Sequence, residues 1–268
     1  MRYTEWGAAD NPRVLVCVHG LTRVGLDFAR LAAGLCDQFR VVCPDVVGRG
    51  RSDWLPDPAL YSVPQYAFDM TSLMARLDVE RVDWLGTSMG GLIGLSLAGQ
   101  PNAPIGRLIL NDIGPRMQLD ALLRIGDYVS QARRFVSLDE ATEYVRSISM
   151  GFGLRLPQEW RELTESVVRE DGSQWIFQYD PAIADSLKAT SAASNAVSEA
   201  KLWQLYDATQ ARTLLLRGAE SDLLSSATAI EMTQRGPRAE LVEIPGVGHA
   251  PMFFDEAQIA IVRRFLLA

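Results

Sequence analysis

Ser88 lies at the centre of Gly86-Thr87-Ser88-Met89-Gly90, which fits the pattern G-x-S-x-G and follows a short apolar run. A sharp turn from strand to helix strains its central residue, and glycines two positions away on each side avoid collisions there. Such a turn exposes the hydroxyl above a sheet, beside a helix N terminus whose free N–H groups favour negative charge. The sequence therefore predicts Ser88 as a nucleophile for acyl transfer. An incidental serine in a glycine-rich turn is the alternative, which the flanking strand and helix patterns disfavour.

A serine hydroxyl is a weak nucleophile at neutral pH and needs a base, for which histidine is well suited. The chain has two histidines. His249 lies in a glycine-containing loop after the last predicted strand, from which it can reach Ser88, and we predict that it is the base. A loop histidine without a role is the alternative. His19 ends the first predicted strand, and we interpret it as a structural residue that anchors the following loop.

The base needs an orienting acid, which should follow a strand ending at the same sheet edge and lie between Ser88 and His249 in the chain. Asp222 and Asp112 both satisfy this condition. We favour Asp222, because its strand is expected to neighbour the strand that leads to His249. Asp112 stays open as the second candidate and Glu220 as a weaker third. Each of these acids also fits an ordinary loop carboxylate or helix cap.

Acyl transfer passes through an oxyanion, which backbone N–H groups can bind. One donor is expected from the turn after the first predicted strand, where Leu21 stands in the sequence His-Gly-Leu-Thr. The other is expected from Met89, directly after the nucleophile. Because both residues would act through the main chain, their side-chain types carry little information.

Apolar runs typical of buried strands alternate with helical patterns on both sides of Ser88. Parallel strands joined by right-handed crossovers produce this alternation, so we predict an α/β fold with a doubly wound, mostly parallel sheet. The predicted strands are Arg13–Gly20, Arg40–Pro44, Val82–Gly86, Ile105–Asn111, Arg212–Gly218 and Glu240–Pro245. The predicted helices are Leu26–Leu35, Gln65–Leu77, Met89–Ala98, Ala227–Arg235 and Glu256–Leu267.

The alternation stops between residues 117 and 209, where charged and apolar residues mix at helical spacing and no strand-like run occurs. A stretch of this length is too long for a simple connection. We predict a helical lid over residues 117–209, inserted into a core domain made of residues 1–116 and 210–268. Its aromatic side chains are candidates for a substrate pocket, and packing within the lid explains them equally well. They are Phe152, Trp160, Trp175, Phe177 and Tyr179.

The amino-acid composition and net charge limit which kinds of binding partner are expected. Hydrophobic residues make up 48% and charged residues 22% of the chain, which is typical of a globular protein, and the net charge of −7 gives no reason to expect nucleic acid or anionic lipid. The three cysteines form no CxxC pair, and neither a dinucleotide fingerprint nor a P-loop occurs, so we predict no metal and no cofactor. Without a secretory N terminus or an apolar run of about 18 residues, we expect a cytoplasmic protein with no membrane contact. The expected partner is a small-molecule ester, and the oligomeric state is not predicted.

Four motifs together resemble the α/β-hydrolase fold family over nearly the whole chain: His-Gly, Gly-x-Gly-x-Ser-Asp at 48–53, Gly-x-Ser-Met-Gly-Gly at 86–91, and Gly-His at 248–249. They are most similar to its lidded, serine-nucleophile esterase and carbon–carbon-bond hydrolase branch. The resemblance implies a Ser-His-Asp hydrolase that cleaves a small to medium carboxylic ester through an acyl-enzyme. The family's usual first edge strand is expected to be missing or short.

Hydrolysis of a lactone or of a carbon–carbon bond of the β-diketone type on the same triad is the alternative activity, and cofactorless lyase or haloperoxidase chemistry also stays open. A non-catalytic ligand-binding member of the fold is the alternative from a different class. The presence of nucleophile, base and acid candidates disfavours it, because a binding module does not need all three. Ser88 disfavours haloalkane dehalogenases and epoxide hydrolases, which have an aspartate at this turn.

Overall fold

A computed structural model describes residues 1–185 and 191–268 of the chain. The strands within these residues are β1 (Arg2–Trp6), β2 (Val14–Val18), β3 (Arg40–Asp45), β4 (Val82–Thr87), β5 (Ile105–Asn111), β6 (Arg134–Phe135), β7 (Val168–Asp171), β8 (Gln174–Phe177), β9 (Arg212–Gly218) and β10 (Glu240–Ile244). The α-helices are α1 (Ala29–Leu35), α2 (Val63–Arg76), α3 (Met89–Ala98), α4 (Leu119–Val129), α5 (Leu138–Ile148), α6 (Pro157–Glu165), α7 (Ala192–Ala208), α8 (Ser226–Gln234) and α9 (Glu256–Leu267).

The central sheet has seven strands in the order β1-β3-β2-β4-β5-β9-β10. Six of them are parallel, and β1 pairs antiparallel with β3 at one edge. This is the predicted α/β class with a mostly parallel sheet. The family's first edge strand is present as the five-residue β1, so it is short and not missing.

Helices cover both faces of the sheet, which explains why a central strand such as β2 is apolar throughout. In β2, Val14, Val16 and Val18 face one core, which also contains residues of α2, α3, α7 and α8. Leu15 and Cys17 face the opposite core, which α1 and α9 complete. Alternate residues of one strand thus enter different cores, as expected for a strand buried on both sides.

Residues 117–209, called the inserted segment below, lie between β5 and β9 in the chain. The prediction of a purely helical insertion is wrong, because β6, β7 and β8 form a three-stranded antiparallel sheet beside α4, α5 and α6. These strands have two to four residues and are too short to produce a clear alternating pattern in the sequence. The segment has its own core, which Val24 and Met252 from outside the segment join.

Within the described residues, no helix combines the length and the apolar character that crossing a membrane requires.

Candidate active site

Ser88 occupies the sharp turn between β4 and α3. Its φ of +51° lies in the region that L-residues rarely adopt. A Cβ atom at Gly86 would collide with the backbone of Gly90, and a Cβ atom at Gly90 would collide with the carbonyl of Val18. The glycine spacing around Ser88 is therefore a steric requirement of this turn.

His249 connects Ser88 to an acid through two hydrogen bonds. The Ser88 Oγ to His249 Nε2 distance is 3.0 Å, and the His249 Nδ1 to Asp112 Oδ2 distance is 2.7 Å. With the proton on Nδ1, His249 donates to Asp112 and its Nε2 accepts from the Ser88 hydroxyl. This is the arrangement in which a histidine can remove the serine proton while the carboxylate orients its ring.

Asp112 follows β5 directly and is completely buried. Its Oδ1 accepts a hydrogen bond of 2.8 Å from the backbone N–H of Gly218, and its Oδ2 also accepts one of 2.6 Å from the Ser221 hydroxyl. These donors, together with His249, fix the plane of the carboxylate. The residue is held rigidly, as an orienting acid requires.

The structure corrects the expectation that Asp222 orients His249. The Asp222 side chain is 54% exposed and forms an ion pair with Arg124 of α4. Because β5 lies between β4 and β9 in the sheet, the residue that follows β5 is the one placed beside His249. Glu220, the third candidate, is exposed as well.

The two predicted oxyanion donors lie beside the nucleophile turn. Met89 is the first residue of α3, where backbone N–H groups have no partner within the helix. Leu21 follows Gly20, and a Cβ atom at Gly20 would lie 3.8 Å from that of Ser88. Leu21 and Ser88 line one cavity. The arrangement can bind an oxyanion formed at Ser88.

Arg49 contacts both of these residues and was not predicted from the sequence. Its guanidinium is completely buried, with Nε donating to the Leu21 carbonyl at 2.7 Å and Nη2 lying 3.6 Å from the Met89 sulfur. Nη1 donates to the Tyr66 hydroxyl at 2.9 Å and to the carbonyl of Val47. Burial lowers the pKa of Arg49 from its usual value, and the neighbouring Tyr66 opposes that shift. The only sequence signal is its position in the Gly-x-Gly-x-Ser-Asp motif.

His19 is buried below the oxyanion turn. Its Nδ1 lies 2.7 Å from the Gly20 carbonyl, and its Nε2 accepts a hydrogen bond of 2.9 Å from the N–H of Val46. Burial lowers the pKa of His19 to about 4. The ring is therefore neutral near pH 7 and joins the loops that follow β2 and β3.

The cavity above Ser88 and His249, called the Ser88 cavity below, is mostly apolar where the inserted segment covers it. Of the five aromatic candidates, Phe152, Phe177 and Tyr179 line it. Trp160 and Trp175 do not line it. Trp160 is buried in the core of the inserted segment, and Trp175 is half-buried and packs against that core. Sequence reasoning missed further lining residues from this segment, namely Arg124, Ile125, Tyr128, Tyr144, Val145, Ile148, Ser149 and Val167. Among the described residues, no cluster of three or more His, Cys, Asp and Glu side chains is placed to hold a metal ion.

A nucleophile turn at the carboxyl edge of a mostly parallel sheet, with histidine and acid on later loops, defines an α/β hydrolase. Residues 13–256 match the family model described as alpha/beta hydrolase fold, and the chain belongs to this family.

Over its full length the chain is similar to the 3-hydroxybutyrate-oligomer hydrolase of Cupriavidus necator, with 50% identity over 99% of this chain and 92% of that protein. Two solved structures are also similar. A putative hydrolase from Rickettsia typhi has a TM-score of 0.91 and 32% identity, covering 99% of this chain and 90% of that chain. An alpha/beta hydrolase from Novosphingobium aromaticivorans has a TM-score of 0.88 and 36% identity, covering 99% of this chain and 93% of that chain. The chain is a hydrolase.

Proposed function

We propose that this protein is a serine esterase that hydrolyses short hydroxy-acid oligomers of the 3-hydroxybutyrate type. The observation that carries the proposal is the chain of hydrogen bonds from Ser88 through His249 to Asp112, at 3.0 and 2.7 Å. A serine in this setting attacks carbonyl carbons, and an ester carbonyl at the end of an apolar cavity is a suitable target.

In the proposed reaction, His249 removes the Ser88 proton as Oγ attacks the ester carbonyl carbon. The backbone N–H groups of Leu21 and Met89 stabilise the negative oxygen of the tetrahedral intermediate. His249 then gives its proton to the leaving alcohol oxygen, which breaks the ester bond and leaves an acyl-enzyme. Water, activated by the same histidine, hydrolyses the acyl-enzyme and restores Ser88. Asp112 accepts a hydrogen bond from the His249 Nδ1–H group and holds His249 in the required tautomer.

The substrate class is supported by the relative from Cupriavidus necator, which is identical at half of the aligned positions and is named for the hydrolysis of 3-hydroxybutyrate oligomers. The cavity agrees with this class. Its lining of Ile125, Val145, Ile148 and aromatic rings suits the methyl and methylene groups of such an oligomer. No step of the reaction requires a cofactor.

We also propose that the inserted segment, residues 117–209, acts as a lid on a core domain of residues 1–116 and 210–268. Ion pairs and hydrogen bonds hold α6 against the rest of the protein. Arg30 donates to both carboxylate oxygens of Glu162 at 3.1 and 2.6 Å, and Arg23 donates to the carbonyl of Leu163. The segment supplies most of the apolar cavity wall, so it is the part that selects the substrate.

The test is to incubate the purified protein with the linear dimer and trimer of 3-hydroxybutyrate and to measure release of the monomer by chromatography. We expect monomer release by the wild-type protein and none above background by Ser88→Ala. A fluorophosphonate should label Ser88, as mapped by mass spectrometry. Ser149→Ala is the matched control, because Ser149 lines the same cavity and should not be needed for labelling. Labelling at another serine, or turnover by Ser88→Ala, would contradict the proposal.

A further inference from the structure

The inner face of α4 brings a positive charge and a phenol into the Ser88 cavity. Arg124 and Tyr128 are four residues apart on α4, so they project from the same face of the helix, and Ile125 lies beside them. All three line the cavity that contains Ser88 and His249. The wall opposite the catalytic residues is therefore not purely apolar.

The guanidinium of Arg124 is only weakly engaged. Its Nη2 group pairs with Asp222, and the two side chains are 51% and 54% exposed. An ion pair exposed to this degree contributes little, because water screens it. Within residues 1–185 and 191–268, the Nε and Nη1 groups of Arg124 have no hydrogen-bond partner. A carboxylate that enters the cavity can replace Asp222 at small cost.

Arg23, the other arginine that lines the cavity, forms a buried, bidentate ion pair within the protein. Its Nε and Nη2 groups donate to both carboxylate oxygens of Asp27, each at 2.7 Å, and Nη2 also donates to the Leu163 carbonyl. The Arg23 and Asp27 side chains are 12% and 5% exposed. A buried, bidentate pair of this kind is already neutralised, and opening it would leave Asp27 buried without its partner. Arg23 therefore stabilises the cavity wall, and Arg124 is the arginine available to a ligand.

Tyr128 adds a neutral donor next to Arg124. In the described part of the chain its hydroxyl forms no hydrogen bond. Burial raises the pKa of Tyr128 to about 12, and the nearby charges of Arg124 and Arg23 partly oppose that shift. The phenol is protonated at neutral pH and can donate to an anion.

We propose that Arg124 and Tyr128 form a carboxylate-binding subsite for the free acid end of a short hydroxy-acid oligomer. Two parallel N–H groups of a guanidinium match the two oxygens of a carboxylate, and the phenol supplies a third donor. In the free protein Asp222 pairs with the Arg124 guanidinium from outside the cavity lining. The inference rests on the proposed function and makes it more specific. Oligomers that carry a free carboxylate near the cleaved ester are preferred over neutral esters of the same size.

The first test compares the 3-hydroxybutyrate dimer with its methyl ester, which keeps the internal ester bond and has no charge. Cleavage of the internal bond of the methyl ester is followed by release of methyl 3-hydroxybutyrate. Arg124→Gln should lower kcat/KM for the dimer by about tenfold, mainly through a higher KM, because it removes one charge-assisted hydrogen-bonding group. The loss for the methyl ester should be much smaller. Arg161→Gln is the matched control, because Arg161 is also an ion-paired arginine of the inserted segment, is 52% exposed, and lies outside the cavity. It should leave the ratio between the two substrates unchanged.

Asp222→Asn separates ligand binding from a structural role of the ion pair. If Asp222 competes with the substrate, its removal should raise kcat/KM for the dimer by roughly two- to fivefold, the range expected for an exposed pair. Tyr128→Phe should lower kcat/KM for the dimer, as Arg124→Gln does. If the ion pair between Arg124 and Asp222 only stabilised the packing of α4 against the loop after β9, Arg124→Gln and Asp222→Asn would each lower kcat/KM for both the dimer and its methyl ester. That result would overturn the subsite.

A binding measurement keeps the subsite testable if the proposed function fails. The Ser88→Ala protein should bind the 3-hydroxybutyrate anion in an NMR titration, and the additional substitution Arg124→Gln should weaken that binding by about tenfold. Absence of hydrolysis by the wild-type protein with Arg124-dependent binding would contradict the proposed function and support the subsite. Equal binding of the 3-hydroxybutyrate anion with and without Arg124, in a protein that hydrolyses the dimer, would support the proposed function and contradict the subsite.

Discussion

The choice between Asp112 and Asp222 depends on strand order, which a single sequence does not contain. Both residues follow a strand that ends at the same edge of the sheet, β5 in one case and β9 in the other. The expected pairing of β9 with β10, the strand that leads to His249, favoured Asp222. That pairing is present, but β5 is the neighbour of β4 and carries its acid to the histidine. The short distance from the strand end was the usable signal. Asp112 comes directly after β5, whereas Asp222 is four residues beyond the end of β9.

At this residue scale, Asp112→Asn should lower kcat on the order of 10⁴-fold, the loss known for the equivalent change in serine proteases. An amide at this position holds His249 in the wrong tautomer, because Nδ1 no longer faces a carboxylate. Steady-state kinetics with an aryl ester measure the effect.

Asp222→Asn is the control for this experiment, because it removes an exposed carboxylate at the same sheet edge. It should keep kcat within about threefold of the wild-type value, as expected when only an exposed ion pair is lost. If Asp222→Asn were the variant that loses activity, the hydrogen bond between His249 and Asp112 would not be the one used in catalysis.

At the scale of elements, the inner strands of the central sheet were predictable because burial on both faces makes each of them a largely apolar run. The edge strand β1 carries Arg2 and Glu5 and is at most half-buried, so it lacks this pattern. The nucleophile turn was predictable because its glycines are required sterically on both sides of Ser88. The small sheet of the inserted segment was missed, since pairing between short strands holds it together and no single strand has a strong pattern. One signal was present. Gly172-Ser173 forms the two-residue turn between β7 and β8, and Gly172 has a positive φ of +65°, as the first residue of such hairpin turns requires.

Arg49 shows how one side chain can join three elements that build the active site. It extends from the loop after β3, and it contacts the turn after β2 through Leu21 and the start of α3 through Met89. These are the two residues predicted to donate backbone N–H groups to the oxyanion. We therefore expect Arg49 to be a positioning residue that sets the distance between the two donors.

Arg49→Lys should lower kcat by about 10- to 100-fold with a smaller change in KM, because displaced donors act mainly in the transition state. The lysine keeps a positive charge and loses the planar group that reaches both partners. Tyr66→Phe, which removes one acceptor of Arg49, should have the same effect in weaker form. The affinity for an alkyl boronic acid, which forms a tetrahedral adduct with the serine, should fall in parallel with kcat.

Arg51→Lys is the matched control, since Arg51 belongs to the same motif but is 55% exposed and pairs with Asp45. Its kcat and its boronic acid affinity should stay close to wild type. If Arg49→Lys lowered only the melting temperature, and the folded variant kept wild-type kcat and boronic acid affinity, Arg49 would be a purely structural residue.

At the scale of the whole molecule, two parts with separate cores meet at one cavity. The central sheet supplies Ser88, His249 and Asp112. In the proposed reaction these residues act on a carbonyl group and do not distinguish one ester from another. The inserted segment supplies the aromatic and aliphatic wall that a substrate's carbon chain must contact. Phe152 lines the cavity and packs against the edge of the segment's core, whereas Trp160 is buried in that core and does not line the cavity. Selectivity and stability should therefore depend on different residues of the same segment.

Phe152 and Trp160 allow selectivity and stability to be measured separately. With p-nitrophenyl esters of increasing acyl length, the wild-type rate should decline beyond medium chains, because the wall formed by Phe152 and its neighbours limits the cavity. Phe152→Ala should move the optimum to longer chains. Trp160→Ala should leave the optimum in place and lower the free energy of unfolding by about 3–5 kcal/mol, the usual cost of removing a buried tryptophan. Urea unfolding and the chain-length profile measure the two effects separately.

The same chain-length series examines how the inserted segment covers the cavity. The inserted segment carries charged residues on its outer surface, and the ion pair between Arg30 and Glu162 lies where the segment meets the rest of the chain. Its opening would therefore not create the large apolar face that binds lipid aggregates. We therefore expect the rate to follow ordinary saturation through the concentration at which the longer esters form micelles. A jump in rate at that concentration, or an optimum that moves in Trp160→Ala and not in Phe152→Ala, would contradict the assignment of the cavity wall. A jump in rate would mean that the inserted segment opens as a lipid-facing surface. A shift of the optimum in Trp160→Ala alone would mean that the wall containing Phe152 does not limit the acyl chain.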